Sequence, residues 1–225
     1  MNENILSAFA AEPLSPAVRK TLSNTFLTLA AVWAVTAVAG LASVALIPVE
    51  TFKESGFIWG WFAATLVALF AVFWQRKTAW GLVALAVFAG LEGVTLGPVV
   101  ALQLATEGGG QAVGMAGLLT AAATFACSQY VMRTRKDFSR WSGFLFAALV
   151  VFLLASIIAM FYPAAWLSVA LGAAGAMLFT AYILYDVSRI VTGEEDNYIV
   201  AAVSIYLDML NLFLSLLRLL SGNKD

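Results

Sequence analysis

Seven long apolar runs divide the chain, at residues 22–47, 56–75, 79–104, 112–132, 141–161, 164–190 and 198–220, with short polar stretches between them. Each run is continuous rather than alternating, and each approaches or exceeds the ~20 residues that an α-helix needs to cross a hydrocarbon core. A barrel strand needs only ~10 residues with every second one apolar, so the pattern excludes a transmembrane barrel. Hydrocarbon offers no water to a peptide group, so each run must satisfy its own backbone, which makes it a helix. The pattern predicts an all-α membrane protein built as a seven-transmembrane-helix bundle. The connections PVETFKES, QRKT, ATEGGGQ, RTRKDFSR and VTGEEDN, and the Tyr162-Pro163 break, are too short to fold separately. Residues 1–20 read as a cytoplasmic tail without the basic start and short apolar core of a cleavable leader, and residues 21–225 as one transmembrane domain.

Composition agrees with the pattern and narrows the chemistry. Of 225 residues, 62% are hydrophobic and 11% charged, with mean hydropathy +0.92; a soluble domain carries about 25% charged residues. No histidine is present, which removes histidine metal sites, bases and proton relays. A single cysteine, Cys127, removes intrachain disulfides and thiolate clusters and reads as a packing residue. A net charge of −1 gives no basic surface for nucleic acid.

The basic residues set the orientation. Arg19, Lys20, Arg76, Lys77, Arg133, Arg135, Lys136, Arg140 and Arg189 fall on one side of the membrane, and Lys53, Arg218 and Lys224 on the other. The positive-inside rule places the first group in the cytoplasm, with the N-terminus inside and the C-terminus outside. Trp59, Trp61, Trp74, Trp80, Trp141 and Trp166 lie near span ends, where indole rings favour the headgroup level. Ala121–Ala123 in span four and Gly172–Ala176 in span six are expected to let helices approach closely.

Three acids stand inside predicted spans: Glu92, Asp186 and Asp208. A carboxylate at the centre of a membrane helix costs roughly 2.5–3.5 kcal/mol on insertion scales, so such residues face the bundle interior and often mark an ion or proton path. Asp186 and Asp208 are each 11 residues from position 197, beside the turn between spans six and seven, or ~16 Å along a helix. They are expected at similar depth on adjacent helices, where two carboxylates cannot both ionise cheaply and would share a proton. For Asp186 two cationic partners are open: Arg189, three residues on along the same helix, and Arg76 at the end of span two. Glu92 begins EGVTLGP (92–98), whose glycines and Pro98 are expected to loosen span three beside a polar cavity; the alternative is a protonated acid bonded to a neighbouring helix. Asn211 and Ser204 flank Asp208 at helical spacing and are candidates to hydrogen-bond it, and Glu92 and Asn211 are the candidate pore polar residues.

YILYDVSRI (182–190), EDNYIVAAVSIYLDMLNLFLSLLRLL (195–220), EGVTLGP and RTRKDFS (133–139) together resemble the Bax inhibitor-1 family, also called the transmembrane Bax inhibitor motif family, over residues 20–220. The short seven-span form resembles bacterial members, which implies the bacterial inner membrane. The resemblance implies a bundle with a central sixth helix and a pH-regulated calcium leak, with no tightly bound cofactor and calcium as the permeant ion. It implies that Asp186 and Asp208 form the proton-sensing pair and a transient calcium site, and that Arg76 engages the first of them when the protein is closed. The acid that some relatives carry within span two is missing from this one. Some bacterial relatives instead act on a membrane-bound quality-control protease, which implies a non-conducting regulator with residues 1–20 as its handle. A third class is an intramembrane aspartyl protease, since Tyr185-Asp186 and Asp208 lie on consecutive spans; Asp208 lacks the glycine-rich setting of that class, and no Pro-Ala-Leu follows. The expectation is therefore a protein without catalytic residues. A retinal-type pump is excluded because span seven has no lysine for a Schiff base.

Overall fold

The computed structural model describes residues 14–48, 51 and 55–221. Seven α-helices long and apolar enough to span a membrane are found among the described residues. They are α1 (Pro16–Leu46), α2 (Ser55–Gln75), α3 (Trp80–Leu104), α4 (Gly109–Thr134), α5 (Ser142–Phe161), α6 (Ala165–Thr192) and α7 (Tyr198–Ser221), with a 3-10 turn, Ser139–Trp141, ahead of α5. The limits agree with the apolar runs except at the start. Ser15 caps α1 by accepting a hydrogen bond from the Val18 amide, and Pro16 opens the helix where no amide donor is needed. Residues 16–20, expected in the tail, are therefore the first turn of a 31-residue helix, ~46 Å long against a ~30 Å hydrocarbon core. Residues 1–13 of that tail lie outside the described residues, as do Lys53 and Lys224.

The seventh helix, not the sixth, is the most enclosed. Within its most apolar stretch 67% of residues are buried, against 33% for α6 and 6% for α5. It packs on α6 along most of its length and also meets α4 and α1. Tyr206 of α7, fully buried, fills the space between Trp33 of α1 (ring centroids 5.4 Å) and Phe88 of α3 (6.0 Å). Its hydroxyl lies 2.8 Å from Thr36 Oγ1, and Thr36 is also within reach of the Val32 and Ala89 carbonyls. A phenol at this depth has no water to turn to, so this bond fixes α7 against α1 and α3.

Glycines set the closest helix approaches. A Cβ at Gly93 would collide with the Thr36 carbonyl oxygen, and one at Gly97 with the Gly40 carbonyl and Ser43 Oγ. The glycines of EGVTLGP thus bring α3 onto α1 instead of loosening α3, which runs unbroken through Pro98. Gly172 and Gly175 do the same between α6 and α7: a Cβ at Gly172 would come within 3.0 Å of the Ser215 carbonyl. In α4 the buried stripe is Ala112, Ala116, Thr120, Thr124, Ser128 and Val131, whereas Ala121 and Ala122 face outward. Thr120, Thr124 and Ser128 donate to carbonyls one turn earlier at 2.7–2.8 Å, so these hydroxyls are satisfied without leaving their own helix.

Gly93 supplies a direct test of this packing. A methyl placed at Gly90, on the same helix, would meet nothing within 4 Å, so Gly90→Ala is expected to leave melting in detergent unchanged or slightly raised. Gly93→Ala should lower it, with an overpacking cost of about 1–3 kcal/mol. Equal melting temperatures for the two variants would contradict the tight α1–α3 contact.

Candidate functional site

The site is built by the turn between α6 and α7. Gly193 ends α6 in the left-handed region, φ 82°, where a side chain would be strained. Asn197 then starts α7: its Oδ1 accepts from the amides of Ile199 (3.0 Å) and Val200 (3.2 Å). Glu195 Oε1 accepts from the Asn197 amide at 2.9 Å, and Arg189 reaches back to Glu194 and Glu195, each at 3.6 Å. The hairpin is thereby closed at one end by caps and charges, and its two helices run inward side by side.

Asp186 and Asp208 lie within this hairpin, 9% and 7% exposed, and their side chains meet at hydrogen-bonding range. Asp208 Oδ2 is sealed from solvent and has no hydrogen-bond partner among the described residues. Two carboxylates can hydrogen-bond each other only when one of them holds a proton. Arg189 and Glu195 are the charged groups acting on Asp186, with opposite sign, and the phenol of Tyr182 lies in the field of both carboxyl groups. Arg189 also sits over the Tyr185 ring, 5.8 Å from its centroid, which holds the guanidinium at the cap.

Of the two cations open to Asp186, Arg189 acts on it through its charge without an ion pair, its guanidinium contacts being with Glu194 and Glu195. Arg76 is exposed and makes no ion pair with Asp186; the ordered contact it makes with the hairpin is through its backbone, whose carbonyl accepts from Asn197 Nδ2 at 2.7 Å. The cause is the Asn197 cap, which holds the α2–α3 turn by its main chain and leaves the guanidinium at the surface. Asn211 does not bond Asp208 either. Its Nδ2 donates to the Leu207 carbonyl one turn earlier at 2.8 Å, as an amide must where no other acceptor is near. Ser204 makes no bond to Asp208.

Glu92 stands apart from the pair. It is half-buried in the wall of a cavity of about 420 Å³ between α2 and α3, with Leu207 of α7 also lining it. Its field acts on Tyr206 and not on either aspartate. The structure therefore joins Asp186 with Asp208 and gives Glu92 a separate setting.

With this geometry in hand, similarity to known proteins is informative. Residues 18–225 match the family model described as "Inhibitor of apoptosis-promoting Bax1". The chain belongs to the Bax inhibitor-1 family. A membrane protein of Vibrio cholerae is 35% identical over 210 residues, 92% of each chain. The "Modulator of FtsH protease YccA" of Escherichia coli K12 is 35% identical over 205 residues, 89% of each chain, and in a second strain the protein of that name is called an inner membrane protein. A Pseudomonas aeruginosa protein is 40% identical over 152 residues, 67% of this chain and 68% of its own. Seven spanning helices together with these relatives make this Bax inhibitor-1 family member a multi-pass inner-membrane protein.

In this family member, sequence reasoning missed the part played by Asn197. The signal was present: an asparagine directly before the last apolar run is a helix-capping residue. What no local pattern contains is its second bond, to a carbonyl 121 residues away. Two further links converge on the same end: the Phe138 amide donates to buried Ser188 Oγ at 3.2 Å, and Thr21 Oγ1 to the Asp196 carbonyl at 3.4 Å.

Separating the two roles of Asn197 tests this arrangement. Asn197→Asp keeps the acceptor for the α7 amides but loses the donor to Arg76, so amide exchange should rise in the α2–α3 turn while the start of α7 stays protected. Asn197→Ala loses both, and its thermal stability in detergent should fall further, by the ~1 kcal/mol of a lost cap. If Asn197→Asp leaves exchange in residues 76–81 unchanged, the link across the bundle end is not what orders that turn.

Proposed function

We propose that this protein is a pH-sensitive calcium-leak channel of the bacterial inner membrane, gated by protonation of Asp186 and Asp208. The observation that carries the reading is the meeting of two buried carboxyl groups on adjacent spanning helices, one with an oxygen that has no donor among the described residues. While one proton is shared, the pair bears a single negative charge and α6 and α7 can stay in contact. Loss of that proton sets two negative charges side by side in a low-dielectric interior, which favours separation of the helices and entry of a divalent cation. Calcium takes 6–8 oxygen ligands. Two aspartates leave most of that shell to water and carbonyls, which suits passage better than storage.

Orientation belongs to the same proposal. The end that carries Arg76, Lys77, Arg133, Lys136, Arg140 and Arg189 faces the cytoplasm, so the Asn197 cap and the Arg189–Glu195 contact close the cytoplasmic mouth. A gating part for Arg76 requires a second conformation, in which release of the Asn197 bond lets its guanidinium reach Asp186. The reading is of a channel and not of an enzyme.

The relative named for modulation of the FtsH protease favours a second reading, that of a membrane regulator whose partner is a membrane-bound protease. Dependence of protease co-purification on residues 1–20, without cation flux, would be its signature.

Purified protein in calcium-indicator liposomes tests the first reading. Calcium entry should rise with pH in the native protein. Asp186→Asn and Asp208→Asn should each flatten that profile and change the rate by about tenfold, the factor given by ~1.4 kcal/mol at the site. Native rates and an intact pH profile in both variants would remove the paired-carboxylate mechanism.

A further inference from the structure

We propose that the cavity containing Glu92 is a binding site for a lipophilic ammonium, a molecule with one cationic amine head and an alkyl tail, entering from the bilayer. The cavity of about 420 Å³ lies within the range of small-molecule sites. Its lining residues Ile58 and Phe62 are also exposed on the outer surface of the bundle, 48% and 55%, so it is open to lipid. No lining residue is cationic.

Every polar group in the wall except one is already engaged. Trp61 Nε1 donates to Thr95 Oγ1 at 3.1 Å and to the Leu91 carbonyl at 3.3 Å, Thr95 donates to Leu91 at 3.1 Å, and Thr65 donates to Trp61 at 3.0 Å. These bonds turn the hydroxyl and indole protons away from the cavity. The carboxyl of Glu92 has neither a hydrogen bond nor an ion pair among the described residues, and it is the acceptor left for a ligand. The same cavity is lined by the rings of Phe57, Trp61, Phe62 and Phe88, with Phe57 and Trp61 stacked at 5.4 Å. Aromatic faces beside a carboxylate suit an organic cation better than a metal ion, since rings supply quadrupole attraction but no ligand oxygens.

Depth selects among organic cations. Glu92 is 12 residues from each end of α3 (Trp80–Leu104), ~18 Å along the helix and therefore at mid-bilayer. An aminophospholipid would have to carry its phosphate to that depth, into a wall with no donor free to receive it. A simple alkylamine carries only the charge that Glu92 complements, and its chain lies against the apolar surface of α2. The site is separate from the aspartate pair, so the proposal does not depend on calcium conduction.

Dodecylamine, with dodecanol as its uncharged counterpart, is the probe, and binding to the full-length protein in a neutral detergent is read from saturable quenching of tryptophan emission and checked by native mass spectrometry. Saturable binding of dodecylamine is expected, weakened by about tenfold or more in Glu92→Gln. Leu66→Trp, which fills the cavity and leaves the carboxyl in place, should weaken it similarly, and Asp186→Asn should leave it unchanged. Equal binding of dodecylamine by the native protein and Glu92→Gln would overturn the proposal. So would equal affinity for dodecanol, which would mark an apolar crevice without cation recognition, or undiminished binding in a folded Leu66→Trp protein.

Discussion

The burial of α7 is the constraint on which the rest of the structure depends. A helix enclosed on most sides within a membrane has no solvent to satisfy its polar side chains, so every hydroxyl, amide and carboxyl on it must find a protein partner or a proton. Tyr206 meets Thr36, Asn211 and Ser215 turn back to carbonyls of their own helix, and Asp208 meets Asp186. Of these contacts, only that of the aspartates joins two carboxyl groups. A contact between two carboxyl groups in such an interior is favourable only with a proton in it.

The span limits were legible in the sequence because hydrocarbon imposes one rule on every residue it touches, and continuous apolarity records it directly. The pairing of Asp186 with Asp208 was legible for a related reason: two consecutive helices joined by a short turn hold residues equidistant from that turn at equal depth. The central helix was not. Burial within a bundle and exposure to lipid both favour apolar side chains, so composition cannot separate α6 from α7, and the resemblance pointed to the sixth. Nor was the part played by the glycines of EGVTLGP, because glycine serves helix breaking and helix contact alike. Only the position of Thr36, Gly40 and Ser43 on another helix decides between them.

The surroundings of Asp186 show where long-range reasoning from charge reaches its limit. Arg76 and Arg189 carry the same charge, and both lie at the same end of the bundle. What separates them is an uncharged residue, Asn197, whose amide takes the Arg76 carbonyl and whose carbonyl oxygen takes the first amides of α7. A cap that also anchors a distant turn fixes main chain, and the guanidinium beyond it is left at the surface.

The three intramembrane acids, alike in sequence, meet the cost of burial in different ways. Asp186 and Asp208 lie against each other, near the Arg189–Glu195 contact. Glu92 has no such neighbour, and the aromatic cavity beside it is open to the bilayer. The two arrangements share a wall: Leu207 lines the cavity, and Asp208, the next residue, faces the hairpin. Because successive residues on a helix point about 100° apart, one helix presents both groups to different compartments.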